Sequence, residues 1–177
     1  WEEYCSSDTV EGEEYSELLQ KIKKSDFAVP FGKFVEMGIP LWKTIQDEND
    51  SYQILKLLID HQTTNTASLA QNAYDLLQKK HGSHPRFLEF IRLVGLRDRV
   101  DFRGAISYFD LLIHMVKGNS IYHAGGWGTG EIMDVSFIRE EVVIEFEKVK
   151  GKRNVTFANA SKTLIPLNSA CFRARRF

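Results

Sequence analysis

The chain is short of cysteine, proline and long apolar runs, and each shortage removes a class of protein. Its two cysteines, Cys5 and Cys171, stand near opposite ends of 177 residues with no CxxC spacing. Neither a disulfide framework nor a cysteine zinc site is written in that pattern, and two reduced thiols are expected. Four prolines leave most of the chain free to form regular structure. No stretch approaches the ~20 apolar residues that cross a bilayer, and the opening WEEYCSSD is acidic where a signal peptide is basic and then apolar. The chain is therefore read as cytoplasmic, with no membrane partner. It starts at Trp1, inside a segment of helical character, and so reads as a piece of a longer protein.

What is present is an ordinary globular balance, with 43% hydrophobic and 27% charged residues. The formal net charge of -1 hides an asymmetry. From Lys148 onward come Lys150, Lys152, Arg153, Lys162, Arg173, Arg175 and Arg176, with no acidic residue among them. Such a run is either a solvated basic face or a contact for an acidic protein or a nucleic acid.

The apolar residues recur at helical spacing up to about residue 117. Tyr15, Leu18, Leu19 and Ile22 form one stripe, Tyr52, Leu55, Leu58 and Ile59 a second, and Leu69, Ala70, Ala73, Leu76 and Leu77 a third. Phe87, Phe90, Ile91 and Val94 follow, then Ile106, Phe109, Leu112, Ile113 and Val116. Pro30 and Pro40 are placed to open short helices, the second running through Leu41, Trp42 and Ile45. Asn65 is placed to cap a helix ending at Lys79 and Lys80, with Gly82 as its left-handed stop and Pro85 starting the next. After Gly118 the period becomes two. Val142, Ile144 and Phe146 alternate with Val143, Glu145 and Glu147; Met133, Val135 and Phe137 do so upstream, and Val155 and Phe157 downstream. Ile165 and Leu167 flank a Pro166 suited to an edge strand. The expected fold is α+β. Residues 1–117 form an array of short antiparallel helices in the style of helical repeats, and residues 118–177 form a small Tudor/SH3-like β-barrel packed on the last helix.

The stretch YHAGGWGTGEI, Tyr122 to Ile132, carries four glycines around one tryptophan. A phosphate cradle needs its glycines between a strand and a helix N-terminus, but Glu131 to Val135 read as a strand and no Lys-Ser or Lys-Thr follows. Gly125, Gly126, Gly128 and Gly130 are read instead as a tight turn between strands. Trp127 is then a lid on the barrel core or an exposed contact for a partner. His81 and His84 have ligand-like spacing with no acid or cysteine cluster beside them, so no metal site is assigned. No GxSxG elbow or Cys-His pair appears, the adjacent acids Glu13-Glu14 and Glu140-Glu141 do not converge, and no enzyme activity or cofactor is expected.

The runs HAGGWGTGEIMDVSFIREEVVIEFEKVKGKRNVTFANASKTLIPL, FGKFVEMGIPLWKTIQDE, LKLLIDHQTTNT and IRLVGLRDR, with ARRF closing the chain, resemble the N-terminal extension of long forms of the bacterial transcription elongation factor GreA. That family stimulates RNA polymerase to cleave backtracked RNA with acids at the tip of a long coiled-coil hairpin. The resemblance thus implies an accessory, non-catalytic arm with RNA polymerase as the partner, since no such hairpin is written here. The barrel alone is similar to the Tudor-like barrels of bacterial helicases and of CarD-type regulators that dock on RNA polymerase. The expected contact set is Tyr122, Trp127, Lys150, Lys152, Arg153, Arg173, Arg175 and Arg176. Two alternatives stay open: direct binding of DNA or RNA by the basic end, and a structural or dimerising arm.

Overall fold

The computed structural model of the chain describes residues 12–23, 39–60, 67–98 and 101–167. Contacts divide the chain into two compact units, Trp1–Ile106 and Ser107–Phe177.

In the first unit the helical stripes take the expected form. Helix α1 spans Gly12–Lys23, α2 Glu48–Asp60, α3 Ala67–His81 and α4 Phe87–Leu93. Helix α2 starts where it does because the Asp47 carboxylate accepts the Asp50 N–H at 2.8 Å, satisfying one of the orphan donors of the first turn. It buries Tyr52, Ile54, Leu55, Leu58 and Ile59. Ile54 and Leu58 pack with Tyr15 of α1 and with Leu41, and Trp42, Ile45 and Leu57 close around them. Helix α3 carries Lys79, Lys80 and His81 in its last turn, where cations suit the negative end of the dipole.

Three local expectations need correction. The helix expected from Pro40 to Ile45 is one turn over residues 39–42, ended by the Thr44 hydroxyl, which donates to the Leu41 carbonyl at 2.8 Å. Gly82 is not in the left-handed region; its N–H donates to the Gln78 carbonyl at 2.9 Å, and a Cβ there would lie 2.4 Å from that oxygen. Helix α5, Ala105–His114, buries Ile106, Phe109 and Leu112 as expected, but it stops before Val116, which is 55% exposed while Met115 turns inward. Pro30 and Asn65 lie outside the described residues.

After helix α5, most of which belongs to it, the second unit holds among its described residues five strands and one short helix: β1 Ser120–His123, β2 Gly128–Ser136, β3 Glu141–Phe146, β4 Lys152–Thr156, α6 Phe157–Thr163 and β5 Leu164–Pro166. All neighbours are antiparallel in the order β4-β3-β2-β1-β5. The expected barrel is therefore wrong: the sheet is open, with β4 and β5 at its two edges. The physical reason is α6. Residues expected to extend a strand through Phe157 instead form a helix capped by the Thr156 hydroxyl, which accepts the Asn159 N–H at 3.4 Å. This helix buries Phe157 and Ala160 and carries the chain to the far edge. Pro166 does sit on an edge strand, where its missing N–H removes no ladder bond from a central strand.

One sheet face is dry. The register aligns Ile121, Gly130, Phe146, Ile132, Ile144, Val142 and Val155 on it. A bulge between Ile132 and Asp134 shifts the alternation, so Val135, not Asp134, pairs with Val142. Phe137, expected in a strand, lies in the following turn with its ring 5.4 Å from that of Phe157. The other face carries Glu131, Asp134, Glu141 and Glu145.

Candidate functional site

The four glycines divide into two kinds. Gly126 and Gly128 have φ of 97° and 82°, a backbone that side chains resist, and they bend β1 back along β2. Gly125 and Gly130 are instead close-approach positions. A Cβ on Gly125 would lie 2.7 Å from His123 Cε1, and one on Gly130 would lie 2.7 Å from Phe146 Cδ1 and 2.8 Å from the Glu145 carbonyl oxygen. No helix follows Gly130, which pairs with Phe146 within the sheet.

The close approach at Gly125 lets three rings meet. Trp127 stacks on His123 with centroids 4.2 Å apart and planes 11° from parallel, and its edge meets Phe146 at 5.4 Å. His123 is 8% exposed, and its Nδ1 is buried with no hydrogen-bond partner. Trp127 itself is half-buried, so it covers the end of the dry face and still presents surface.

The turn between β3 and β4 lies against this tip. The Lys148 N–H donates to the Trp127 carbonyl at 3.4 Å, and the Glu147 N–H donates to the Thr129 carbonyl at 2.9 Å. Lys148, Lys150, Lys152 and Arg153 are all exposed. Among the described residues none of these four side chains forms an ion pair or a hydrogen bond. The same end of the sheet therefore carries an aromatic stack and four cations that form no ion pair among the described residues.

The expected contact set is only partly gathered there. Trp127 and Lys150 share the tip, but Tyr122 belongs to the other sheet face, opposite Thr129 and Ile165. Lys152 and Arg153, adjacent on β4, point to opposite faces, beside Glu145 and Ile144 respectively. Arg173, Arg175 and Arg176 lie outside the described residues. Sequence reading passed over His123 and Phe146 as parts of the stack. The available signal was alternation: His123 shares the phase of Ile121, which placed it on the dry side.

The helical unit offers a hollow of about 510 Å³ lined by Ile45, Tyr52, Leu76, Lys79 and Lys80. Its charges are engaged with their neighbours, Lys79 with Glu48 and Lys80 3.6 Å from the centroid of the Tyr52 ring. Among the described residues no three or more His, Cys, Asp or Glu converge as a metal site would need, and no helix is long and apolar enough to cross a membrane.

No protein-family model matches the chain, and no solved structure matches it. Over all 177 residues it is 44% identical to a protein named transcription elongation factor GreA from Chlamydia pneumoniae, and 43% identical to one of the same name from Chlamydia trachomatis serovar D. The chain spans 24% and 25% of the lengths of those two relatives. From end to end, then, this chain matches a segment amounting to about a quarter of a GreA transcription elongation factor, in keeping with the likeness carried by the quoted runs.

Proposed function

We propose that the chain is a non-catalytic interaction module of a GreA-type elongation factor, docking RNA polymerase or a partner bound to it. The parent factor would act on stalled or backtracked polymerase by stimulating transcript cleavage, and this module would add contacts without chemistry. The observation that carries the reading is the whole-chain identity to GreA proteins. The tip supports it: a half-buried tryptophan is a residue type enriched at interface anchors, and the unpaired cations beside it would steer an acidic partner. The test is capture of RNA polymerase by the 177-residue chain. Capture is expected to fall at least tenfold with Trp127→Ala and with Lys150→Ala/Lys152→Ala/Arg153→Ala, while circular dichroism confirms folding. Undiminished capture by both folded variants would remove the proposed surface.

A second reading is favoured by the four exposed cations at that tip. They could neutralise phosphates while Trp127 stacks on a base. Four such contacts give a double-logarithmic salt slope of at most about -4. A titration of single- and double-stranded nucleic acid at two salt concentrations decides it, since no binding at the lower salt rejects nucleic acid as the ligand.

A further inference from the structure

The opening of the sheet leaves strand β4 with one side unpaired, and the phase of its ladder can be read. The Phe157 N–H donates to the Glu140 carbonyl at 2.7 Å, which makes that pair a hydrogen-bonded one. By alternation the register pairs Val142–Val155 and Ile144–Arg153 are also hydrogen-bonded, and the N–H and C=O groups of Lys152 and Asn154 point away from β3. Among the described residues nothing hydrogen-bonds to them on that side. Lys152, Arg153 and Asn154 are exposed, and Lys150 precedes them in the turn.

We propose that β4 is a docking edge that takes up an extended, acidic peptide segment of a partner protein as a sixth strand. The inference rests on the reading of the chain as an interaction module and specifies the chemistry of its partner. Two features select this occupant. An edge displaying N–H and C=O groups in alternation needs both acceptors and donors in return, which a peptide backbone supplies. Phosphodiesters supply acceptors alone and would leave the Lys152 and Asn154 carbonyls unanswered. The charge then sets the side chains: among the described residues Lys150, Lys152 and Arg153 form no ion pair, and Lys152 alone has an acidic cross-strand neighbour, Glu145, so acidic residues on the incoming strand are favoured. A second copy of β4 would bring the same cations alongside, and like charges at that range repel. Lysine on an edge strand is in this way both a guard against self-pairing and a selector of the opposite charge.

The experiment uses the 177-residue chain and an end-blocked eight-residue peptide of alternating threonine and glutamate. Binding is followed by fluorescence anisotropy, and exchange of the Lys152 and Asn154 amide hydrogens by NMR. Saturation is expected to slow exchange at these two amides at least tenfold. N-methylating the peptide at alternate residues, or replacing glutamate by lysine, is expected to weaken binding at least tenfold. Asn154→Pro removes an outward N–H and is expected to abolish binding; Lys150→Glu/Lys152→Glu, which leaves the backbone alone, is expected to weaken it at least tenfold. The proposal is overturned if the two amides are unaffected by the peptide, or if the N-methylated peptide binds equally well. It is likewise overturned if a single-stranded oligonucleotide protects the amides while the peptide does not, or if protection rises with chain concentration in the absence of peptide. Polymerase capture is scored in parallel. Capture without peptide binding sinks the edge alone, and peptide binding without capture sinks the polymerase reading alone.

Discussion

At the scale of single residues, close contact explains more than composition does. Gly130 and Gly151 are both glycines of the sheet unit, yet they answer to different constraints. An alanine methyl at Gly130 would collide with Phe146, Ile144 and the Glu145 carbonyl, whereas at Gly151, with φ of 77°, it meets open space. Gly130→Ala is expected to cost about 3 kcal/mol by overpacking, and Gly151→Ala about 1 kcal/mol by backbone strain alone. Urea midpoints of the two variants check this; the reverse order would mean the register around Gly130 is wrong. Asp101 supplies a pH-dependent case. The Arg103 side chain and then its backbone N–H hydrogen-bond the Asp101 carboxylate and hold its pKa below the usual carboxylate value. A depressed folded pKa stabilises above the unfolded value and is lost as pH falls through the folded one. Asp101→Asn should therefore be slightly less stable than the parent at neutral pH and equal to it at strongly acidic pH, as thermal midpoints across pH would show. The turning glycines were legible in the sequence because they stand together between alternating segments. The packing role of Gly125 and Gly130 was not, since it depends on which rings the register brings across.

At the scale of elements, legibility followed length and periodicity. Helices α2 and α3, of 13 and 15 residues, repeat their apolar stripe over several turns, and most of the residues the stripe names are buried; the stripe omits Ile54, which is buried in the core, and includes Leu76, which is half-buried. Helix α6 has seven residues and buries only Phe157 and Ala160. With Val155 just ahead, its first apolar residue is indistinguishable from continued alternation, so Phe157 reads as strand and the rest of the helix carries no signal of its own. The expected barrel rests on the number and length of the strands, and five strands are indeed present, but their count does not decide whether a sheet closes. The element ends offer a direct check on α2. Asp47→Ala removes the cap on Asp50 N–H and should cost about 1 kcal/mol, whereas Leu58→Ala, deep in the cluster with Tyr15 and Leu41, should cost about 3 kcal/mol. Chemical denaturation of both variants measures the pair; equal costs would mean the cluster is not the core of this unit.

At the scale of the whole chain, the likeness to GreA was legible in long runs of sequence and hardly at all in any single motif. The likeness to GreA proteins runs across both units. Charge is the molecular property that ties the readings together. The acids Glu131, Asp134, Glu141 and Glu145 lie on one sheet face, and the cations gather at one end, next to the Trp127 stack. The basic run was visible in the sequence, but its division between two faces at Lys152 and Arg153 required the register of β4. The most direct measurement is a titration of fluorescently labelled chain with purified RNA polymerase at two salt concentrations, with Trp127→Ala alongside. Saturable binding that weakens with salt, and at least tenfold with the substitution, is the predicted result; no saturable binding at either salt, or equal affinity for the folded variant, would contradict it.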